Sequence, residues 1–94
     1  MQINTNHQLE LLHDILDEHL SEADCNITEY SQIKRLVQSM ISKNKVTNEN
    51  LLQQLPEMYH YGWQGERVQN TEEHTITNQQ NIEVWLETIN QVLR

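Results

Sequence analysis

The chain has 94 residues with one proline and two glycines, and its six Lys and Arg face fourteen Asp and Glu for a net charge of −8. That length suits a single domain with a modest core, and the scarcity of Gly and Pro argues against a β-rich fold, which needs many tight turns. The acidic balance argues against a nucleic-acid binder and an anionic membrane surface, both of which call for basic patches.

The first helix is predicted over residues 6–21, after Asn4, Thr5 and Asn6, whose side chains suit N-capping. Leu9, Leu12, Leu16 and Leu20 recur on one face, and Leu11 and Ile15 widen it on one flank. The second helix, over 28–43 with Asn26 or Thr28 as cap, carries Tyr30, Ile33, Leu36, Val37, Met40 and Ile41 at a clean helical period. The third, over 48–61 with Thr47 or Asn48 as cap, carries Leu51, Leu52, Leu55, Met58 and Tyr59. Its period runs through Pro56, where a kink or local break is expected. Residues 62–70 read as the longest connection and hold both glycines, Gly62 and Gly65. The last helix is predicted over 71–93, opened by Asn70 or Thr71, with Ile82, Trp85, Leu86, Ile89, Val92 and Leu93 as its apolar face. Four amphipathic segments with short connections predict an all-α, antiparallel up-down-up-down four-helix bundle. The alternative is a three-helix core with a loosely docked first helix.

The motif nearest to chemistry is a repeated Glu-x-x-His, at Glu10 and His13 and again at Glu57 and His60. Two such motifs plus two more glutamates build a di-iron site when they point into a bundle core. Here all four residues fall opposite the apolar stripes, so exposed helix surface is the expectation and a metal-binding bundle the alternative. His7, His13 and His19 are six residues apart and spiral around the helix instead of converging. His19 lies near the apolar face, which predicts a partly buried, hydrogen-bonded ring. His74 is accounted for by Glu72 and Glu73 beside it. Cys25 follows Glu22 and Asp24, whose charges raise a thiol pKa instead of activating it. No nucleophile elbow or phosphate loop occurs, so no cofactor is expected. A helix-turn-helix reading of the second and third segments fails because residues 48–61 contain no Lys or Arg.

Two surface features remain. Residues 1–29 carry seven acids and no Lys or Arg, while residues 30–45 carry Lys34, Arg35, Lys43 and Lys45 and no acid. Complementary flanks between the first two helices explain this most simply, and steering of a basic partner is the alternative. Tyr61 and Trp63 stand outside the third stripe and are the candidate partner-binding residues, because such aromatics are enriched at binding hot spots. Against that, Trp63 could fold back as a lid on the bundle.

Several stretches resemble the YtzH-like family of small proteins from Bacillus-type bacteria. The resemblance rests on His7-Gln8, on Leu11-Leu12-His13-Asp14-Ile15-Leu16, and on Thr28 to Met40 with its Thr-Glu-Tyr-Ser-Gln-Ile-Lys-Arg run. Weaker echoes are Tyr59-His60-Tyr61, Gln79-Gln80 and Trp85. Pro56 departs from the pattern. The resemblance carries no catalytic residue or cofactor to any position. The expected function is therefore a small, non-catalytic protein-interaction or regulatory module. The partner is another protein or a second copy, with Leu11, Ile15 and Val84 as the apolar positions for a homodimer seam, and neither nucleic acid nor a membrane. With a lone cysteine and no signal-like N-terminus, a reducing cytoplasm is the expected location.

Overall fold

Leu9, Leu12 and Leu16 need an apolar surface to bury against, and in the computed structural model a bundle of helices supplies it. The structure describes residues 5–21, 27–44 and 46–93. Helix α1 is Thr5–Ser21, α2 Ile27–Lys43, α3 Glu49–Gly65, α4 Thr71–Thr77 and α5 Gln79–Leu93, with no strand among the described residues. The longest packing runs between α2 and α3 and between α1 and α5, and contacts of α1 with α2 and of α3 with α5 close the ring. Neighbours alternate in direction. Gln8 near the start of α1 hydrogen-bonds Ser39 near the end of α2, and His19 near the end of α1 lies beside Glu29 near the start of α2. Glu66, just past α3, reaches back to Ser31 and Lys34 of α2. The fold is an all-α helical bundle. The three-helix alternative does not describe it, because Leu9, Leu12 and Leu16 of α1 sit in the same core as Ile33, Val37, Leu51, Leu55, Met58, Ile82 and Ile89.

The helix ends follow from named caps. The Asn48 side chain accepts from Leu51 N at 3.0 Å and opens α3, and Asn70 accepts from Glu73 N at 3.0 Å and opens α4. Asn44 ends α2 in the left-handed region at φ 53°, which Asn tolerates. The capping expectations at Asn4 and Asn26, together with Cys25 and Lys45, lie outside the described residues.

Three features differ from the sequence reading, each for a physical reason. The predicted last helix is two helices meeting at Asn78. The β-branched run Thr75-Ile76-Thr77 weakens helix propensity there. The Asn78 side chain donates to His74 O at 2.9 Å, closing α4, while its carbonyl accepts from Ile82 N at 2.9 Å, opening α5. The second difference is that no break occurs at Pro56, which lies inside a continuous α3. Proline removes one amide donor, orphaning the carbonyl of Leu52, and both residues are on the exposed side where water can take that carbonyl. Pro56→Ala restores the donor and is expected to raise stability by about 2–3 kcal/mol, read as a higher urea midpoint at unchanged m-value.

The third difference concerns Gly62 and Gly65, which lie within α3 and not in a loop. Neither has a positive φ, so conformational freedom is not their use. Their use is proximity. A Cβ on Gly62 would stand 2.8 Å from Tyr30 O, and one on Gly65 would enter the Tyr30 ring. The pair lets α2 and the Tyr30 ring lie directly against the α3 backbone.

Candidate functional site

That close approach seats Tyr30 in a cluster of polar aromatics at one end of the bundle. The alternating chain direction brings the end of α1, the start of α2 and the end of α3 together there, and α4 covers them. Each element contributes one polar group. His19 comes from α1, Tyr30 from α2, Tyr61 from α3 and Thr75 from α4, and all four are buried. His19 Nδ1 is 2.8 Å from the Tyr61 hydroxyl, which is 3.2 Å from Thr75 Oγ1. Thr75 Oγ1 is 2.6 Å from the Tyr30 hydroxyl, which donates to Thr71 O at 3.2 Å. The rings meet edge to face, with centroids 5.2 Å apart for His19 and Tyr30 and 5.5 Å for Tyr30 and Tyr61, an arrangement that favours aromatic pairs. His74 stacks on Tyr61 at 4.8 Å and donates Nε2–H to Tyr61 O at 3.1 Å. Trp85 of α5 closes the far side.

His19, Tyr61, Thr75 and Tyr30 form one connected chain that ends on the Thr71 carbonyl. The other ring nitrogen of His19, Nε2, has no hydrogen-bond partner and lies 3.7 Å from Glu29 Oε2. Burial lowers the His19 pKa to about 4. The charge of Glu18 opposes that shift and His74 adds to it. The ring is neutral at neutral pH. A histidine bonded to a tyrosine resembles an acid–base pair, yet such a pair works only on a group within hydrogen-bond reach. His19, Tyr30 and Thr75 expose nothing and Tyr61 almost nothing, so the pair lies in the interior, with Tyr61 at the edge of an open groove between α3 and α5. The cluster is built as scaffold. Buried hydrogen-bonded networks of this kind favour one arrangement of the elements that carry them.

The residues singled out in the sequence are distributed as follows. Glu10 and His13 lie on the outside of α1, with His13 Nδ1 3.6 Å from Asp14. Glu57 and His60 lie on the outside of α3. The two Glu-x-x-His pairs are not brought together, and no group of three or more His, Cys, Asp or Glu converges among the described residues. Tyr61 is in the interior cluster, so the surface pair expected with Trp63 does not form. Trp63 alone is exposed, at 40%. It is not a lid. Its ring lies parallel to His60 at 6.0 Å, and the Arg67 guanidinium sits 3.9 Å over it while donating to Trp63 O at 2.9 Å. Leu11 and Ile15 line a shallow groove between α1 and α2 with Leu36, Gln32 and Arg35, whereas Val84 is on α5, away from that groove. No helix among the described residues is long and apolar enough to cross a membrane.

The trace of kinship in the sequence extends over almost the whole chain. The family described as YtzH-like protein matches residues 3–89. The chain belongs to the YtzH-like protein family. It is 26% identical over 87 residues to the Bacillus subtilis (strain 168) protein named "Uncharacterized protein YtzH", which covers 93% of this chain and 94% of that one. No solved structure matches.

The matched region contains every member of the buried cluster. Sequence reasoning found His19 as a hydrogen-bonded ring, though only partly buried where the structure buries it completely, and Tyr30 as a core position. It missed Thr75, and it assigned His74 to local charges when its partner is Tyr61. No local spacing marks a contact between residues 30, 61 and 75. The one available signal was Tyr61 itself, a side chain with a hydroxyl off the apolar stripe and therefore in need of a buried partner.

Proposed function

We propose that this protein is a small non-catalytic interaction module that docks another protein on the outer face of α3. The observation that carries the reading is a second stripe on that helix. Leu51, Leu55, Met58, Tyr61 and Gly65 face the core. Leu52, Pro56, His60 and Trp63 follow one another at three- and four-residue steps on the opposite side, Arg67 continues the line just past the helix end, and all five are exposed. A helix apolar on one side only is the norm for a surface helix. Here the outer side carries a leucine, a proline and a tryptophan. Trp63 is already held in place between His60 and Arg67, so docking costs little of the ordering entropy that weakens most interfaces. Beside the stripe runs an open groove of ≈480 Å³ between α3 and α5, with Pro56, Glu57 and His60 on one side and Asn78 and Asn81 on the other.

The non-catalytic reading is supported by the interior position of the His19–Tyr61 pair, and the compartment we assign is the cytoplasm, on the single cysteine. The stripe carries one basic residue, Arg67, which is engaged over Trp63, and this favours a protein partner over a nucleic acid or a membrane. Trp63→Ala tests the reading. The side chain is exposed and its cation–π contact is worth about 0.5–1 kcal/mol at such a site, so the variant stays folded. Affinity capture from the native host is expected to recover a partner with the wild type and lose it with Trp63→Ala. Equal recovery by both rejects the outer face of α3.

A further inference from the structure

We propose that the groove between α1 and α2 is a self-complementary face that pairs two copies of this chain, with α1 of one protomer lying over α2 of its partner. Three observations lead there. The groove is an open apolar seam of ≈210 Å³, floored by Leu11, Ile15 and Leu36. Its two banks have opposite charge. Asp14 and Glu18 follow Leu11 and Ile15 on the outer side of α1, and Arg35 forms the α2 bank. Finally, the charges are not used between the two helices. No Lys or Arg of α2 pairs with an acid of α1 among the described residues. Lys34 turns to Glu66 on the other side of α2, at 2.6 Å, and Arg35 makes no ion pair. The simplest sequence-level account of the charge segregation, complementary flanks within one molecule, therefore leaves Arg35 without an acid.

The charges also select the symmetry. A two-fold axis lying in the interface and across the helices would set α1 on α1 and oppose acid to acid. An axis in the interface and along the helices sets α1 on the partner's α2. The register then follows from the pairings inside one protomer. Gln8 is level with Ser39 and His19 with Glu29, so Leu11 is level with Leu36 and Asp14 with residues next to Arg35. Rotation along the helices preserves those levels. Leu11 of one protomer meets Leu36 of the other, and Asp14 meets Arg35, twice by symmetry. The interface is independent of the outer face of α3, so either can fail alone.

Charge exchange tests this. The wild type is expected to show a concentration-dependent monomer–dimer equilibrium in sedimentation, weakened by salt. Arg35→Asp and Asp14→Arg should each weaken the dimer by about tenfold or more, and Arg35→Asp/Asp14→Arg should recover it. Both positions are exposed, and unchanged circular dichroism keeps a loss of dimer distinct from a loss of fold. A wild type that remains monomeric at about 1 mM overturns the proposal. So does a dimer indifferent to the single exchanges, or one that the double exchange fails to restore.

Discussion

Gly65→Ala is expected to destabilise the protein by about 3 kcal/mol, against a helix propensity that favours alanine by about 1 kcal/mol. The sign is the test. Within an ordinary helix the added methyl stabilises. Here it would enter the ring of Tyr30, which is wholly buried and held at its hydroxyl by Thr75 and Thr71. Neither ring nor backbone can yield without breaking the cluster. For a domain of this size the loss is a melting point lower by more than about 10 °C. Gly62→Ala carries the same sign, because its Cβ would meet the Tyr30 carbonyl at 2.8 Å. The clash can be isolated by a double-mutant cycle. In a Tyr30→Ala background the ring is gone, and Gly65→Ala should change from loss to neutrality or gain. A Gly65→Ala variant as stable as the wild type would mean that α2 and α3 do not approach as described.

Acidification to pH 5 is expected to cost about 2 kcal/mol of stability through His19 alone. Its folded pKa of about 4 lies below the ordinary 6.5 because burial penalises the charged ring. The unfolded chain therefore binds the proton more readily throughout the interval between those values. The stabilisation is complete above about 6.5 and drains away as the pH falls toward 4. Urea unfolding at pH 7 and pH 5 measures it. His19→Gln removes the titrating group, and its stability should be lower at pH 7 but much flatter between the two values. The Lys34–Glu66 pair acts in a different window. The hydrogen bond from Lys34, helped by Ser31, holds the Glu66 carboxyl below its usual range against a smaller opposing effect of burial. That contribution is present above pH 4.5 and lost only below it. A wild type and His19→Gln with parallel pH profiles would contradict the burial of His19.

The helices were legible in the sequence where one face had to be apolar. Apart from Ile41, which is exposed, the stripes of α1, α2 and α5 reappear in or against the core, because burial of Leu9, Ile33 or Ile89 depends only on local spacing and the need to leave water. What was not legible depends on residues far apart in the chain. Gly62-Trp63-Gln64-Gly65 reads as a turn in isolation, and only the position of Tyr30 shows that the glycines are places where nothing larger fits. Tyr61 reads as surface because its neighbours Tyr59 and Met58 already fill the stripe. It is inside because His19 and Thr75 supply partners for its hydroxyl. The paired Glu-x-x-His motifs read outward and lie outward, since a helix face is a local property. Trp63 was legible as an aromatic off the stripe, but not its fixation by His60 and Arg67, which is a matter of rotamers.

The polar aromatics lie inside the bundle, and the docking surface proposed for it is the outer face of α3. The most direct test is a photo-cross-linking scan in the native host, with the photoreactive residue placed in turn at Leu52, His60 and Trp63 and, as controls, at Thr28 and Glu72. The account predicts one discrete adduct shared by the three α3 positions and absent from both controls. Adducts at Thr28 or Glu72 with none on α3, or the same diffuse pattern at all five positions, would contradict it.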